Sequence, residues 1–389
     1  MKSNYKKLGD FIQQVKKRNN DNSLTVDNLR GINISKEFMP SVANVTGTDL
    51  SVYKVVEKNQ FAYNPMHVGR DEILPISMLV NEDKVIVSPA YVIFEIVNTD
   101  KLLPEYLMIW CRRREFDRNA WFTTDSSVRG GFNWEDFCDL ELPVPSIEKQ
   151  KEIIKEYHTI TDRIKLNESL NQKLEDTAQS IYKEWFVNFE FPDENGKPYK
   201  SNGGEMIYCE ELDREIPKGW NVLSINKFAN LKYGKMLDSD KFLAKGYHIF
   251  SGYGIRGYYS SYMYEEPQIL VLCRGVSGTG EVKLSPPKAY ITNLSIVIEI
   301  EQEDMFKYFV YYYLKNQNLR QLDSGSAQSQ ITIDDLNSFT VLCPMKDLQE
   351  KFSNLINSLK LNVDARNKSI ENLDILKKVL LSKMATIEG

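Results

Sequence analysis

The feature that most constrains this chain is a long helical segment that occurs twice, 199 residues apart. From about Ser146 to Phe191, apolar residues recur at alternating steps of four and three, which is the heptad seam of a coiled coil. Adding 199 to each seam position gives a second seam in the same phase, with no insertion or deletion. The pattern predicts that the helices pair through Ile153, Tyr157, Ile160, Ile164, Leu174, Ile181, Phe352, Ile356, Leu359, Val363, Leu373 and Leu380.

A single helix of this kind is not stable alone in water, so each seam needs a partner. The simplest partner is the other seam, and we expect an antiparallel pair in which Leu174 and Leu373 are buried. Two unrelated surface helices would not explain the matched register. Each helix follows a strand-like run that ends in proline, and Ser146 and Asp347 are the expected N-caps.

The residues before each helix also follow a common plan, which predicts a tandem repeat. Lys288 to Ile300 matches Ser88 to Ile96, and Met305 to Leu319 matches the helical segment at Pro104 to Asn119. We therefore predict an α+β fold with two globular units and two long helices in an approximate two-fold arrangement. The expected boundaries are 1–146 for the first unit, 147–191 for the first helix, 192–217 for a polar linker, 218–344 for the second unit and 345–389 for the second helix.

Composition excludes several classes of protein. The chain has no run of 18 apolar residues and no apolar signal core at its N-terminus, so we expect a cytoplasmic protein without a membrane segment. Its five cysteines are scattered without a CxxC pair and its three histidines are far apart, so no metal site is predicted. The segment 192–217 alone holds seven acidic residues against three basic ones, which accounts for most of the net charge of −5. The globular units are near neutral, so a local basic groove for nucleic acid remains open.

Several short strings add to this layout. The first unit contains Phe61-Ala62-Tyr63-Asn64-Pro65-Met66, then Gly69-Arg70 and Ser88-Pro89-Ala90-Tyr91. The second contains Ile216 to Trp220 at its entry, the glycine-rich 252–259, ILVLCRGVSGTG at 269–280, and Gly325 to Gln328. Together with the repeat, these strings resemble the specificity subunit of type I restriction–modification systems, over essentially the whole chain. The second helix departs from the first at its end, where Met384 stands in place of Trp185.

The resemblance implies two target recognition domains, each followed by a conserved spacer helix. It implies binding of double-stranded DNA at a bipartite target and assembly with two methyltransferase subunits and with restriction/translocase subunits. On this view the chain is not an enzyme and carries no cofactor, because S-adenosylmethionine, ATP and magnesium belong to the partner subunits. The alternatives are a fragment related to a DNA methyltransferase or to a fused restriction–methylation enzyme, and a helical scaffold without DNA function.

Two motifs favour other functions when they are taken alone. Gly252, Gly254 and Gly257 satisfy the dinucleotide fingerprint, but the tyrosines that follow favour a strand where that fingerprint needs a helix. We therefore predict a loop whose glycines let the backbone approach a DNA strand, and the alternative is a tight glycine turn at a sheet edge. Asn64-Pro65-Met66 resembles the motif of adenine methyltransferases, yet no glycine-rich S-adenosylmethionine loop precedes it. We therefore predict no catalytic residue.

For DNA reading, the chain must present Arg, Lys, Asn, Gln and aromatic side chains on loops beside glycines. The basic run Arg112-Arg113-Arg114 is instead interpreted as a solvated helix face. The candidate DNA-binding residues are Tyr63, Asn64, His67, Arg70 and Arg129 in the first unit, and Lys235, Tyr253, Arg256, Arg274, Ser277, Gln328 and Gln330 in the second.

Overall fold

The computed structural model describes residues 5–42, 47–66, 68, 72–123, 131–275, 277–303, 305–323 and 329–386. The chain forms two compact units, Met1–Glu168 with Asn367–Gly389, and Ser169–Arg366. We call these the first and second units. Both boundaries fall inside long helices, so each unit contains a part of both. Among the described residues, no helix is long and apolar enough to span a membrane.

The first unit is built on a four-stranded antiparallel sheet in the order β2-β9-β6-β7. Shorter antiparallel pairs join β1 to β10, β3 to β4 and β5 to β8. The strands are β1 (Tyr5–Lys7), β2 (Ile12–Val15), β3 (Arg30–Ile32), β4 (Phe38–Pro40), β5 (Lys54–Glu57), β6 (Phe61–Tyr63), β7 (Ile76–Met78), β8 (Lys84–Val87), β9 (Val92–Ile96) and β10 (Glu141–Pro143).

The second unit repeats this plan. Its main sheet has the order β14-β20-β17-β18, and β13 pairs with β21 as β1 pairs with β10. A three-stranded sheet, β16-β15-β19, is added beside it. The strands are β11 (Met206–Cys209), β12 (Arg214–Pro217), β13 (Asn221–Ser224), β14 (Ala229–Tyr233), β15 (Tyr247–Phe250), β16 (Ile255–Tyr259), β17 (Ile269–Leu272), β18 (Val282–Leu284), β19 (Tyr290–Ile291), β20 (Ser295–Ile300) and β21 (Thr340–Cys343).

The helices complete the repeat. In each unit a helix follows the long sheet strand, a short helix precedes the closing strand, and a helix of more than 30 residues follows that strand. This arrangement confirms the predicted α+β tandem repeat. The helices are α1 (Pro104–Cys111), α2 (Arg114–Phe122), α3 (Trp134–Asp139), α4 (Ile147–Tyr182), α5 (Lys307–Lys315), α6 (Ile333–Asn337) and α7 (Lys346–Lys383), and a π-helical turn, Lys183–Val187, extends α4.

The long helices α4 and α7 pack together, and they run antiparallel. In the first unit Asn167 Nδ2 donates to Ser369 Oγ at 3.5 Å, while Tyr157, earlier on α4, shares an apolar core with Leu380, later on α7. Residue numbers therefore rise along α4 as they fall along α7. In the second unit the end of α4 meets the start of α7, where the rings of Tyr182 and Phe352 lie 6.1 Å apart.

None of the twelve predicted seam residues is exposed. Ile153, Tyr157, Ile164, Phe352 and Ile356 are buried, and the other seven are half-buried. The expectation that Leu174 and Leu373 are buried is therefore too strong, because both are half-buried. A two-helix contact covers a seam residue from one side only, whereas four of the five buried residues also pack into the core of a sheet unit: Ile153, Tyr157, Phe352 and Ile356.

The caps of the long helices differ from one another. Ser146 Oγ accepts a hydrogen bond from Lys149 N at 3.3 Å, as expected for an N-cap. Helix α7 begins at Lys346, so Asp347 lies within its first turn, and the prediction that Asp347 is the N-cap is wrong. Its carboxylate at that position still favours the positive end of the helix dipole.

A buried glutamine ties each long helix to the sheet unit before it. Gln150 is fully buried, its Oε1 accepts from Leu103 N at 2.9 Å, and its Nε2 donates to Pro145 O at 2.9 Å. Gln349 lies exactly one repeat later and makes the same pair of bonds, with Phe306 N at 3.3 Å and with Pro344 O at 2.9 Å. These amides satisfy backbone groups that would otherwise be buried without partners.

The structure corrects the prediction for the helical segment that carries the basic run. The helix predicted at Pro104 to Asn119 breaks between α1 and α2, and at the break Arg113 is buried with its guanidinium carbon 4.1 Å from the Trp110 ring centre. The basic run is therefore not a solvated face at Arg113, because that side chain is buried against the Trp110 ring and forms an ion pair with Glu115 at 3.2 Å.

The segment 192–217, predicted as a linker, contains the β11–β12 hairpin, and Ile216 joins the core of the second unit.

Candidate nucleic-acid interface

The second unit brings several of the predicted DNA-binding residues together. Strand β17 is completely buried, and the chain emerges at Arg274, immediately after the buried Cys273. Arg274 forms an isolated antiparallel bridge with Gln330, and Ile331 N donates to Cys273 O at 3.0 Å. Two segments that are distant in the sequence thus meet at the edge of the main sheet where the inner strand β17 ends. We call this place, with Tyr233, Tyr253, Arg274, Ser277 and Gln330, the β17 edge.

Tyrosine side chains fix the backbone at the β17 edge. Tyr253 donates its hydroxyl proton to Arg274 O at 2.7 Å, and its ring packs against Gly275 and Gly278. A Cβ atom at Gly275 would lie 2.2 Å from Tyr253 Oη, and one at Gly278 would lie 2.5 Å from Tyr253 Cε1. Any other residue at these two positions would displace the tyrosine. Burial raises the pKa of Tyr253, so its hydroxyl stays a donor at neutral pH.

Tyr253 itself is placed by the glycine-rich hairpin between β15 and β16. Ser251 N donates to Gly254 O at 3.1 Å, and Arg256 Nε donates to Ser251 Oγ at 3.3 Å. Gly252 has φ +79°, and a Cβ atom there would lie 2.6 Å from Leu272 Cδ1. The structure shows the alternative, a tight glycine turn at a sheet edge, because β16 is an edge strand and the motif runs into it and not into a helix. The approach of this backbone to a DNA strand stays a prediction.

Lys235, Arg256 and Arg274 are exposed cations of this region. The guanidinium carbon of Arg274 lies 6.0 Å from the centre of the Tyr233 ring, at the outer range of a cation–π contact. Tyr233 ends β14, and its hydroxyl accepts from Ile333 N at 3.3 Å. Sequence reasoning missed Tyr233, although it stands beside Gly234 and Lys235 in a string of the same kind as the strings that were chosen.

The remaining candidates of the second unit complete this picture. Ser277 is exposed on the loop after Arg274, and Gln330 is half-buried with its backbone N–H donating to Asp323 Oδ1 at 3.1 Å. Gln328 lies outside the described residues. Cys273 is fully buried and burial raises the pKa of its thiol, so the side chain packs as a neutral part of the core.

The first unit supports fewer of its candidates. His67, Arg70 and Arg129 lie outside the described residues. Asn64 follows β6 and is half-buried, and its Oδ1 accepts from Met66 N at 3.0 Å, which closes a turn. This bond occupies the side-chain oxygen of Asn64 within the protein.

The prediction that Tyr63 contacts DNA is wrong. Its side chain is fully buried and its ring stacks on Phe137 with the ring centres 4.7 Å apart. Burial raises the pKa of its hydroxyl. Strand β6 lies between β9 and β7, so one face of the sheet packs Phe61 and Tyr63 into one core and the other face packs Ala62 into a second.

The arrangement at the β17 edge offers hydrogen-bond donors, positive charge and aromatic faces, which suits the binding of an anionic ligand. Within the described ranges, no three His, Cys, Asp or Glu residues gather as a set of metal ligands.

Comparison with known proteins agrees with this reading. Residues 217–373 match the family model of the type I restriction modification DNA specificity domain. The specificity subunit of the type I restriction enzyme MjaIX from Methanocaldococcus jannaschii is 24% identical over 310 residues, which are 74% of this chain and 70% of the relative. That of HindI from Haemophilus influenzae is 25% identical over 190 residues, 47% of this chain and 40% of the relative.

A solved structure extends the comparison to the first unit, which the family model does not cover. The type I restriction–modification S subunit from M. genitalium aligns with 99% of this chain and 96% of its own, with a TM-score of 0.58 and 15% identity, which shows a common fold. Residues 217–373 therefore match the type I restriction modification DNA specificity domain, and the chain as a whole shares the fold of the M. genitalium S subunit.

Proposed function

We propose that this chain is the DNA sequence-specificity subunit of a type I restriction–modification complex and that it reads a bipartite target. The observation that carries the proposal is the internal repeat, in which the sheet order β2-β9-β6-β7 recurs as β14-β20-β17-β18, each followed by a long helix. Two units of one design are suited to read two half-sites of one duplex. The domain match in 217–373 and the exposed donors of the β17 edge support the same function.

The pairing of end strands supports residues 1–146 and 218–344 as the target recognition domains. Strand β1 pairs with β10 from Tyr5 opposite Pro143, and β13 pairs with β21 from Asn221 opposite Cys343. In each proposed domain the first and last strands are therefore neighbours, and the chain enters and leaves at one place. We propose that 147–191 and 345–389 are the conserved spacer helices that connect these domains.

We further propose that the complex contains two methyltransferase subunits and restriction/translocase subunits, which supply the chemistry with S-adenosylmethionine, ATP and magnesium. The helix pair of the first unit offers a surface for such a partner. Ile375, Leu376 and Val379 are exposed on α7, and the last two line a groove that Glu152, Glu156 and Ile160 of α4 close. Exposed apolar residues in one groove are typical of protein–protein contact.

Selection from a library of random duplexes tests this function. We expect the chain, co-purified with a methyltransferase subunit of its system, to enrich duplexes with two specified blocks, whereas the methyltransferase subunit alone enriches none. Salt should weaken both specific and non-specific binding, because phosphate contacts release counterions.

The competing hypotheses predict different results for the same purified proteins. A methyltransferase-related fragment would bind S-adenosylmethionine by itself, so calorimetric titration of the purified chain with this cofactor separates it from a specificity subunit, for which we expect no binding. A helical scaffold without DNA function would give the same unenriched library with and without the chain.

A further inference from the structure

We infer that Arg274 is the side chain of the second unit that reads a guanine in the major groove. The inference rests on the proposed function, since it names the residue and the base for one half-site. It starts from the position of Arg274, which is exposed directly after four buried residues of β17 and the buried Cys273. A side chain that leaves a rigid sheet at this point is held by the core of the unit and not by a loop alone.

The backbone of Arg274 is fixed on both sides. Its bridge to Gln330 joins it to the segment before α6, and its carbonyl oxygen accepts the hydroxyl proton of Tyr253 at 2.7 Å. Gly275 and Gly278 leave room for the Tyr253 ring, so the hydrogen bond from Tyr253 to Arg274 depends on glycine at these two positions. Ordering the guanidinium on a fixed backbone costs less conformational entropy than ordering it on a free loop.

Within the described part of the second unit, the positive charge of Arg274 also forms no ion pair. Other cations there form ion pairs within the protein: Lys232 with Glu299 at 2.6 Å, Lys283 with Glu281 at 2.8 Å, Lys288 with Glu265 at 3.1 Å and Lys315 with Glu175 at 2.5 Å. Among the described residues, Arg274 has no such carboxylate and has the Tyr233 ring as its neighbour. A guanidinium beside a ring face keeps its in-plane N–H groups for another acceptor.

Guanine is the base that fits this donor. Its O6 and N7 atoms in the major groove accept two parallel N–H bonds from one guanidinium, which is the commonest specific contact between a protein and DNA. The other exposed cations fit less well. Arg256 donates its Nε proton to Ser251 Oγ, and Lys235 carries a point charge without a planar fork, so both suit phosphate oxygens.

The test uses the full chain with its methyltransferase subunit and the duplex that library selection gives for the wild type. Every base pair of that duplex is replaced in turn, and binding is measured for the wild type, Arg274→Ala, Arg274→Lys and the control Arg256→Ala. We expect the wild type to lose about 5- to 150-fold in affinity when one particular G·C pair is replaced. Arg274→Ala should bind all four base pairs equally at that one position and keep the wild-type preferences elsewhere.

The variants separate the possible outcomes. Arg274→Lys should recover only part of the preference for guanine, since an ammonium group cannot form the same fork, and Arg256→Ala should weaken binding to all duplexes alike. If Arg274→Ala also weakens all duplexes alike and keeps every preference, Arg274 contacts phosphate and the inference is wrong. If the wild type itself shows no preference at any position, the proposed function fails with it, and that result is distinct from the first.

Discussion

Phe352→Asp is expected to abolish stable folding of the second unit. Phe352 is fully buried at the start of α7, and its ring centre lies 5.0 Å from that of Phe186 and 5.8 Å from that of Tyr312. Removing a buried phenylalanine ring typically costs about 3–5 kcal/mol. An aspartate adds a buried carboxylate without a partner, which costs more than the cavity alone. Denaturant or thermal unfolding followed by tryptophan fluorescence measures the loss.

Two other substitutions on α7 provide the controls. Leu361 is 63% exposed, so Leu361→Asp should change the free energy of unfolding by no more than about 0.5 kcal/mol. Leu373 is half-buried in the helix pair of the first unit, so Leu373→Asp should have an intermediate effect. If Phe352→Asp melts at the wild-type temperature, the core that joins α4, α7 and the second sheet is described wrongly.

Replacement of residues 218–344 by the matching segment of a specificity subunit with another target should change one half-site completely and leave the other intact. The physical reason is that the two units have separate cores. The buried core of the second unit draws on Ala178 to Ile356, and that of the first on Leu8 to Tyr157 with Met384. The paired strands β13 and β21 place both junctions of the replaced segment side by side.

The design of this chimera must preserve the contacts that α5 makes with the retained part of the chain. The Phe309 ring of α5 lies 4.9 Å from that of Phe186, which belongs to the retained part of the chain. Phe309 should therefore be kept, so that the new domain finds the same surface. Methylation mapping with the chimera gives the new target, and the reciprocal replacement of 1–146 should change the other half-site. A well-folded chimera that loses both half-sites would contradict independent reading by the two domains.

The long helices could be predicted from the sequence because their signal is local and periodic. A heptad seam needs no knowledge of the partner, and its exact recurrence 199 residues later indicates which element pairs with it. The same comparison would also have revealed Gln150 and Gln349. Their role was missed because a polar residue near a helix start is usually solvated, and only the packing of the sheet units makes both amides buried.

The DNA-binding candidates were harder to predict because exposure depends on tertiary contacts. The position of Tyr63 beside a polar loop in the sequence predicts an exposed aromatic residue, but β6 lies within the main sheet and has a core on each face. The run of three arginines predicts a solvated helix face, but the break between α1 and α2 turns Arg113 against Trp110. At the β17 edge the sequence strings are more informative, because the bridge joins Arg274 of the string 269–280 to Gln330, which follows the string 325–328.

The central claim, that this chain selects the DNA sequence for a methyltransferase, is tested most directly by mapping methylated adenines in cells. The mapping compares cells that express the methyltransferase subunit with this chain against cells that express it alone. We expect methylated adenines in one bipartite motif, two specified blocks with an unread gap, only where the chain is present. The same set of methylated adenines with and without the chain would contradict the account.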